Sequence, residues 1–140
     1  MKPWILFAIL SMIFAGFTSV IAKMGLTGIS SELGLTVRTV FVFVFVFIFA
    51  AFFVSPSEVR SMSSVNYLWL GISAVTTTLS WIFYYKALKD GEVSTIALID
   101  KGSIIIAVLC GIFVLKEQFT LKVAVGGAMM IAGLLIIAKK

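Results

Sequence analysis

Residues 39–54 read TVFVFVFVFIFAAFFV, an uncharged run in which phenylalanine alternates with valine. Alternation with a period of two is typical of a β-strand. A membrane barrel strand, however, needs only about 10 residues and alternates apolar with polar side chains. Here both positions of the alternation are apolar, and the run is longer than a strand requires. We therefore interpret it as part of a transmembrane helix that is covered with Phe and Val on every side and faces lipid.

The composition of the whole chain agrees with this interpretation. Of the 140 residues, 61% are hydrophobic and only 12% are charged, and the mean hydropathy is +1.19. The absence of histidine from the sequence excludes Ser-His-Asp and Cys-His nucleophile systems, and the single cysteine, Cys110, excludes an intrachain disulfide. In a soluble chain the net charge of +5 would suggest nucleic acid. Here the basic residues lie between apolar runs, so the membrane interpretation takes precedence and no nucleic-acid partner is expected.

Five apolar segments predict an all-α, polytopic transmembrane helical bundle that forms a single domain over residues 1–140. A membrane-spanning helix takes about 20 residues, so five spans use about 100 of them and leave only short loops and tails. The predicted spans are residues 3–22, 33–54, 67–88, 92–115 and 121–138. Such a chain is expected in the cell membrane (inner or plasma membrane) as a multi-pass protein surrounded by lipid.

The first apolar segment has an alternative interpretation. Lys2 followed by an apolar run also fits the order of a secretory signal peptide. We favour a transmembrane span because the run is long for a signal peptide, because no good Ala-x-Ala cleavage site follows it, and because further spans come after it.

The sequence predicts two helix starts between the later spans. Ser55, Pro56 and Glu58 stand at the N-cap, first and third positions of a capping box, which predicts a short interfacial helix through about Met62. Thr120 is the predicted N-cap of the last span.

The basic residues are divided almost evenly between the two sides of a five-span protein. One side carries Lys2, Arg60, Lys116 and Lys122, and the other carries Lys23, Lys86, Lys89, Lys139 and Lys140, with Arg38 in addition if it counts as loop-proximal. This bias is too weak for the positive-inside rule to fix one orientation. The chain therefore either adopts a single orientation or has dual topology, in which copies insert both ways and pair antiparallel.

Ionisable side chains at bilayer depth are the main candidates for function, because charge is expensive there. Asp100 and Lys101 lie roughly 12 Å along the helix from Glu92, near the midplane. Adjacent residues are about 100° apart around a helix, so we expect these two side chains to point apart and to need partners from another span or a water-filled cavity. Arg38 in the second span and Lys23 at the end of the first are further candidates. The structural alternative is a buried pair that only orients the helices.

Polar and aromatic residues on the third span predict a cavity wall. Ser73, Thr77, Ser80 and Tyr84 recur at helical spacing, with Trp81 and Tyr85 beside them. Hydroxyl groups also join helices or bond to their own backbone, and Trp81 and Tyr84 also fit an interfacial belt. A packing role for these side chains therefore stays open.

The last span is interpreted as a packing surface. Small residues spaced four apart let helices approach closely, which favours helix packing in a dimer over a ligand role. Ala124, Ala128 and Ala132 have this spacing, and glycines lie close by. The predicted packing residues are Gly126, Gly127, Ala128, Ala132 and Gly133.

Three stretches in order resemble the EamA-type families of the drug/metabolite transporter superfamily. The first span, with its Ala-Gly pair at 15–16 and its Ala-Lys exit at 22–23, resembles the family's first helix. Residues 81–88 (WIFYYKAL) resemble its aromatic-rich Tyr-x-x-Ala-Leu segment, and residues 97–133 resemble its helix, Glu turn and Gly-rich last helix. The resemblance covers the whole chain as one five-span half. It is greatest to the single-unit bacterial and archaeal members, where Ile-Asp-Lys, here at 99–101, looks like a recurring signature.

The resemblance implies a carrier that moves a small polar metabolite or amino-acid-like solute by alternating access, often as an exporter. It also implies that two five-span units make a ten-helix inverted-repeat transporter, here an antiparallel homodimer.

Two departures from the pattern of related transporters bear on the mechanism of transport. Many double-length relatives have a proline where this chain has Asp100 and Lys101. Four-span multidrug relatives use an acidic residue in span one, where this chain has none, so their proton exchange is not expected unless Asp100 takes over the role.

The sequence therefore predicts a membrane transporter with no cofactor and no metal. Its predicted substrate or coupling site comprises Asp100, Lys101, Arg38, Trp81, Tyr84 and Lys23. The alternative is a non-transporting membrane subunit or an assembly partner of another transporter half. An intramembrane enzyme is not expected, since the sequence has no HExxH, GxSxG or cofactor motif and no paired aspartates on one helix face.

Overall fold

The computed structural model describes residues 3–138, and the regular secondary structure in that range is entirely helical. This confirms the all-α prediction. The helices are α1 (Pro3–Gly25), α2 (Ser31–Phe53), α3 (Pro56–Ser61), α4 (Ser64–Asp90), α5 (Val93–Asp100), α6 (Ser103–Phe113) and α7 (Leu121–Ala138).

Three segments of the described range are both long enough and apolar enough to cross a membrane. They are Pro3–Gly25, Ser31–Phe53 and Val93–Phe113, and the last of them comprises α5, α6 and the turn between them. A further apolar helix, Leu121–Ile137 within α7, is shorter. The prediction of a helical protein with several membrane-spanning segments is confirmed at this level.

The alternating Phe and Val run forms part of the continuous helix α2, as predicted. Phe43, Phe45 and Phe47 are each about two-thirds exposed (68%, 66% and 66%). Rings four residues apart stack along the helix, with centroid distances of 6.4 Å for Phe41 and Phe45 and 6.1 Å for Phe43 and Phe47. A helix with large apolar side chains exposed around its circumference is suited to contact with lipid.

Both predicted helix starts are confirmed. The backbone N–H of Glu58 donates to Ser55 Oγ at 3.3 Å, and the Ser55 N–H donates to the Glu58 carboxylate at 2.8 Å, which completes the capping box. α3 ends at Ser61, one residue before the predicted end. At the start of α7 the Val123 N–H donates to Thr120 Oγ1 at 3.4 Å.

The described residues form two compact units. The first, called here the α2–α4 unit, covers residues 20–90 and contains the end of α1 together with α2, α3 and α4. Its buried apolar side chains are Leu26, Tyr85 and Leu88, where the end of α1, the start of α2 and the end of α4 meet. Gly34 makes this contact possible, because a Cβ there would overlap the side chain of Leu26.

The second unit, called here the α5–α7 unit, contains the first part of α1 with α5, α6 and α7. α5 packs against α7, and a Cβ on Gly102 would lie 3.4 Å from Cδ1 of Leu134. After α6 the chain turns at Lys116, whose φ of 56° is in the left-handed region that non-glycine residues rarely adopt. Beyond this turn the Glu117 N–H donates to the Gly111 carbonyl at 3.0 Å.

Candidate functional site

Two lysines join the ends of α1 and α4 in the α2–α4 unit. Lys23 Nζ donates to the carbonyls of Leu88 at 2.6 Å and Lys89 at 2.9 Å. Lys89 Nζ donates in return to the carbonyls of Leu26 at 3.0 Å and Ile29 at 2.7 Å. Leu88 and Lys89 lie in the last turn of α4, where carbonyls have no partner within the helix, whereas Leu26 and Ile29 lie in the loop that follows α1. The sequence predicts Lys23 as a substrate or coupling residue, and the structure places its ammonium on the end of α4.

Arg38 lies in α2 against the aromatic side chains of α4. Its guanidinium carbon Cζ is 4.4 Å from the centroid of the Trp81 ring and 5.9 Å from that of Tyr85, both within cation–π range. Its Nη1 is buried and has no hydrogen-bond partner among residues 3–138. The structure thus brings together two predicted site residues, Arg38 and Trp81, and adds Tyr85 to them. Tyr84, which is also a predicted site residue, is half-buried at the preceding position of α4.

A groove of about 630 Å³ lies between α2 and α4. Glu32 and Lys86 line it and form an ion pair with 3.7 Å between Oε1 and Nζ. The hydroxyls of Thr36, Thr39 and Thr78 each donate to a carbonyl of their own helix at 2.8 Å. Because these hydroxyls are already bonded, the groove away from the ion pair is essentially apolar. Its apolar lining includes Leu35, Val40, Phe43 and Ile82.

In the α5–α7 unit the apolar segment 93–113 is interrupted at the predicted charged pair. α5 ends at Asp100 and α6 begins at Ser103. Lys101 Nζ lies 3.7 Å from Asp100 Oδ2, so the expectation that these side chains point apart is wrong. The lysine side chain is long and flexible enough to return to its neighbour despite the offset around the helix. Both side chains stay partly exposed, at 39% for Asp100 and 50% for Lys101.

The backbone at this interruption is wound more tightly than an α-helix. The Gly102 N–H donates to the Ile99 carbonyl at 2.8 Å, and the Ile104 N–H donates to the Lys101 carbonyl at 3.1 Å. These i to i−3 bonds are of the 3₁₀ type, which inside a longer helical segment often marks a functional hinge. A Cβ on Gly102 would lie 2.9 Å from the Ile99 carbonyl oxygen, so glycine permits this tight turn.

The small residues of α7 leave a surface that a helix can approach closely. A Cβ built on Gly126, Gly127 or Gly133 would meet nothing within 4 Å. Gly127 and Ala128 line a groove of about 230 Å³ between α6 and α7, and Ala132 is exposed.

Comparison with known proteins places the sequence of this chain in a family. The model of the EamA-like transporter family matches residues 2–139. The chain belongs to this family. This EamA-like chain is also similar to a protein of Sinorhizobium sp. described as an "Uncharacterized transporter in cobO 3'region", with 36% identity over 140 residues, which is 98% of the chain and 97% of the relative. No solved structure matches it. The protein is therefore a multi-pass membrane protein of the cell membrane from a family of transporters, which agrees with the resemblance described above.

Several contacts of this EamA-like chain go beyond what the sequence indicates. In the sequence, Lys86 and Lys89 count only as loop charges. In the structure Lys86 pairs with Glu32, and Lys89 binds the loop that follows α1. The carbonyls that it binds are about 60 residues away in the chain, and only the packing of the helices identifies them.

Proposed function

We propose that this EamA-like chain is a secondary carrier that moves a small polar metabolite or an amino-acid-like solute across the cell membrane by alternating access. Two antiparallel copies together form the working transporter. The observation that carries the proposal is the interruption of the apolar segment 93–113 by the ion pair of Asp100 and Lys101. Charged groups at a break in a membrane helix are typical of substrate and ion sites in carriers.

The proposal includes five spans, and the dimensions of α4 and α7 support it. α4 has 27 residues, which is about 40 Å at 1.5 Å per residue and exceeds a hydrocarbon core of about 30 Å. Its Ser and Thr content lowers its hydropathy, but Thr77 and Thr78 donate to carbonyls of the same helix at 2.8 Å. α7 has 18 residues, or about 27 Å, which is close to the same thickness.

The antiparallel homodimer is supported by length and by charge. The relative from Sinorhizobium has almost the same length as this chain, since the match covers 97% of it, and it too is described as a transporter. A unit of this size is one half of a ten-helix plan, so a second copy is the simplest source of the other half. The even division of basic residues favours insertion in both orientations. The small residues on α7 are the proposed contact between the copies.

Site residues are proposed from each unit separately. In the α5–α7 unit, Asp100 and Lys101 bind the solute or carry a coupling proton, and the 3₁₀ turn beside them is the hinge. In the α2–α4 unit, Arg38, Trp81 and Tyr84 contact the solute. Lys23 acts through the helix ends that it joins.

Two experiments test this proposal. The chain, purified alone and reconstituted in liposomes, should take up solute without another membrane protein, and failure to do so would favour a subunit role. Reporter fusions at the C-terminus should show both locations, and a single location would contradict the antiparallel dimer. A fusion to a related protein with strongly asymmetric loop charges serves as a control, because it should report one side only.

A further inference from the structure

We infer that Arg38 and Trp81 form an oxyanion site, so that the transported solute carries a carboxylate or a phosphate group. This inference deepens the proposed function and rests on it in one respect: the bound anion is taken to be the solute that is carried. It concerns only the α2–α4 unit, which contains the contacts of Arg38 with Trp81 and Tyr85.

Arg38 is a cation of this unit that lies within a candidate membrane span and whose charge is not matched by a carboxylate. The acidic residues in its range are Glu32, Glu58 and Asp90. Glu32 is paired with Lys86, and Glu58 is held by the N-cap of α3. Asp90 ends α4, beyond the turn that carries the aromatic contacts of Arg38. No ion pair of Arg38 is found among residues 3–138, although this arginine lies within a candidate membrane span.

The aromatic rings leave N–H donors of the Arg38 guanidinium without a hydrogen-bond acceptor. Trp81 and Tyr85 attract its charge through their π faces, at 4.4 Å and 5.9 Å. A ring face is not a conventional acceptor for the N–H donors, and Nη1 remains buried without a partner in the described range. Arginine carries five donors in a planar fork that matches two oxygens of a carboxylate or phosphate. An oxyanion would balance the positive charge of Arg38 and would accept hydrogen bonds from its N–H groups.

The aromatic contacts also prepare Arg38 for such a ligand. A guanidinium held against two rings loses little further freedom when it binds, and low-dielectric surroundings strengthen its attraction for an anion. The two lysines of the same helix ends are already bonded to carbonyls, and Lys86 is paired with Glu32. Arg60 lies on the exposed helix α3, outside the candidate membrane spans. Arg38 is therefore the cation of this unit that we expect to bind an anion within the membrane.

The test uses Trp81 as a fluorescent reporter. The chain has three tryptophans, so W4F and W69F leave Trp81 as the sole indole, next to Arg38. The purified double variant is titrated with sodium acetate and with sodium methyl phosphate at constant ionic strength. Tetramethylammonium chloride is the cationic control. We expect a saturable change in emission with at least one of the two anions and none with the cation, and the two titrations distinguish a carboxylate from a phosphate solute.

Variants of the two arginines separate binding from folding. R38Q should weaken the titration at least tenfold, R38K should weaken it less, and R60Q, on the exposed helix α3, should leave it unchanged. R38Q should also change the thermal midpoint of the ligand-free protein little, since it removes an unmatched charge together with its contacts to the two rings. The inference is overturned if neither anion changes the emission, if R38Q binds as the parent does, or if R38Q lowers the midpoint sharply as a structural residue would. Anion binding without uptake of any solute would contradict the carrier and support the anion site. Uptake of a solute without anion binding would support the carrier and contradict the anion site.

Discussion

Lys23 binds the end of α4, and Lys89, at that same end, binds in return the loop that follows α1. Lys23 Nζ is 2.6 Å from the carbonyl of Leu88, and Lys89 Nζ is 2.7 Å from the carbonyl of Ile29. A positive charge at a helix C-terminus is favoured by the helix dipole, and the unpaired carbonyls there need donors. The reciprocal pair thus fixes α1 to α4 at one end of the α2–α4 unit.

K23M and K89M should each destabilise the protein. Hydrogen bonds to charged groups contribute about 1.5–3 kcal/mol, so each variant should lower the thermal midpoint in detergent by several degrees. K122M, which changes an exposed lysine of α7, is the matched control and should leave the midpoint unchanged. Equal midpoints for all three variants would contradict the role assigned to the pair.

The capping box of α3 gives a pH dependence with a definite sign. The Ser55 N–H and hydroxyl donate to the Glu58 carboxylate at 2.8 Å and 2.9 Å. These bonds hold the pKa of Glu58 below its ordinary value, with the Ser55 backbone N–H as the largest cause. Because the folded pKa is the lower one, the stabilisation is complete above the ordinary carboxyl pKa and is lost as pH falls through the lowered value.

The Ser55 amide resonance of ¹⁵N-labelled protein reports this titration directly. It should shift at a pH below the usual range for glutamate. E58Q keeps the shape of the side chain without the ionisation and should abolish the shift. A titration of the Ser55 amide at the pH of an ordinary glutamate would contradict the assignment.

Gly111 in α6 lies against the exposed side chain of Glu117, in the turn after the helix. A Cβ there would lie 2.7 Å from Oε2 of Glu117, which is the far end of a flexible side chain and can move aside. G111A should therefore displace the carboxylate and raise the thermal midpoint less than G71A, in a helical site where a Cβ meets nothing within 4 Å and where alanine stabilises by about 0.5–1 kcal/mol. Combining G111A with E117A should recover the difference between the two sites, and strictly additive effects would show that the two residues do not interact.

Asp100 and Lys101 are the residues whose loss should affect transport most. D100N and K101M each remove a charged partner from the break between α5 and α6. Loss of one charge-assisted hydrogen bond to the solute, of about 1.5–3 kcal/mol, corresponds to a fall of roughly 10- to 100-fold in uptake. The measurement is initial uptake rate at matched protein content, with K122M as the control. Full activity of both variants at normal expression would remove the functional role of the pair.

The helical character of this protein follows from its sequence because apolar length is a strong signal. The run at 39–54, the capping box at Ser55 and the N-cap at Thr120 depend on neighbours within a few residues, and the structure agrees with each. The pairing of Lys101 with Asp100 was missed because helical wheel geometry describes Cβ directions and not the reach of a lysine. The contacts of Lys23, Lys89 and Arg38 depend on helix packing across 40 or more residues, which no local pattern contains.

Uptake from a mixed metabolite pool tests the central claim, that this chain alone is a transporter, most directly. Proteoliposomes holding only the purified chain are incubated with a mixture of small polar metabolites, and their contents are measured by mass spectrometry against protein-free liposomes. The account predicts that at least one solute enters faster with the wild-type chain, and that D100N and K101M reduce this entry to near the protein-free level. Identical contents in protein-containing and protein-free liposomes, with the chain correctly folded in the bilayer, would contradict it.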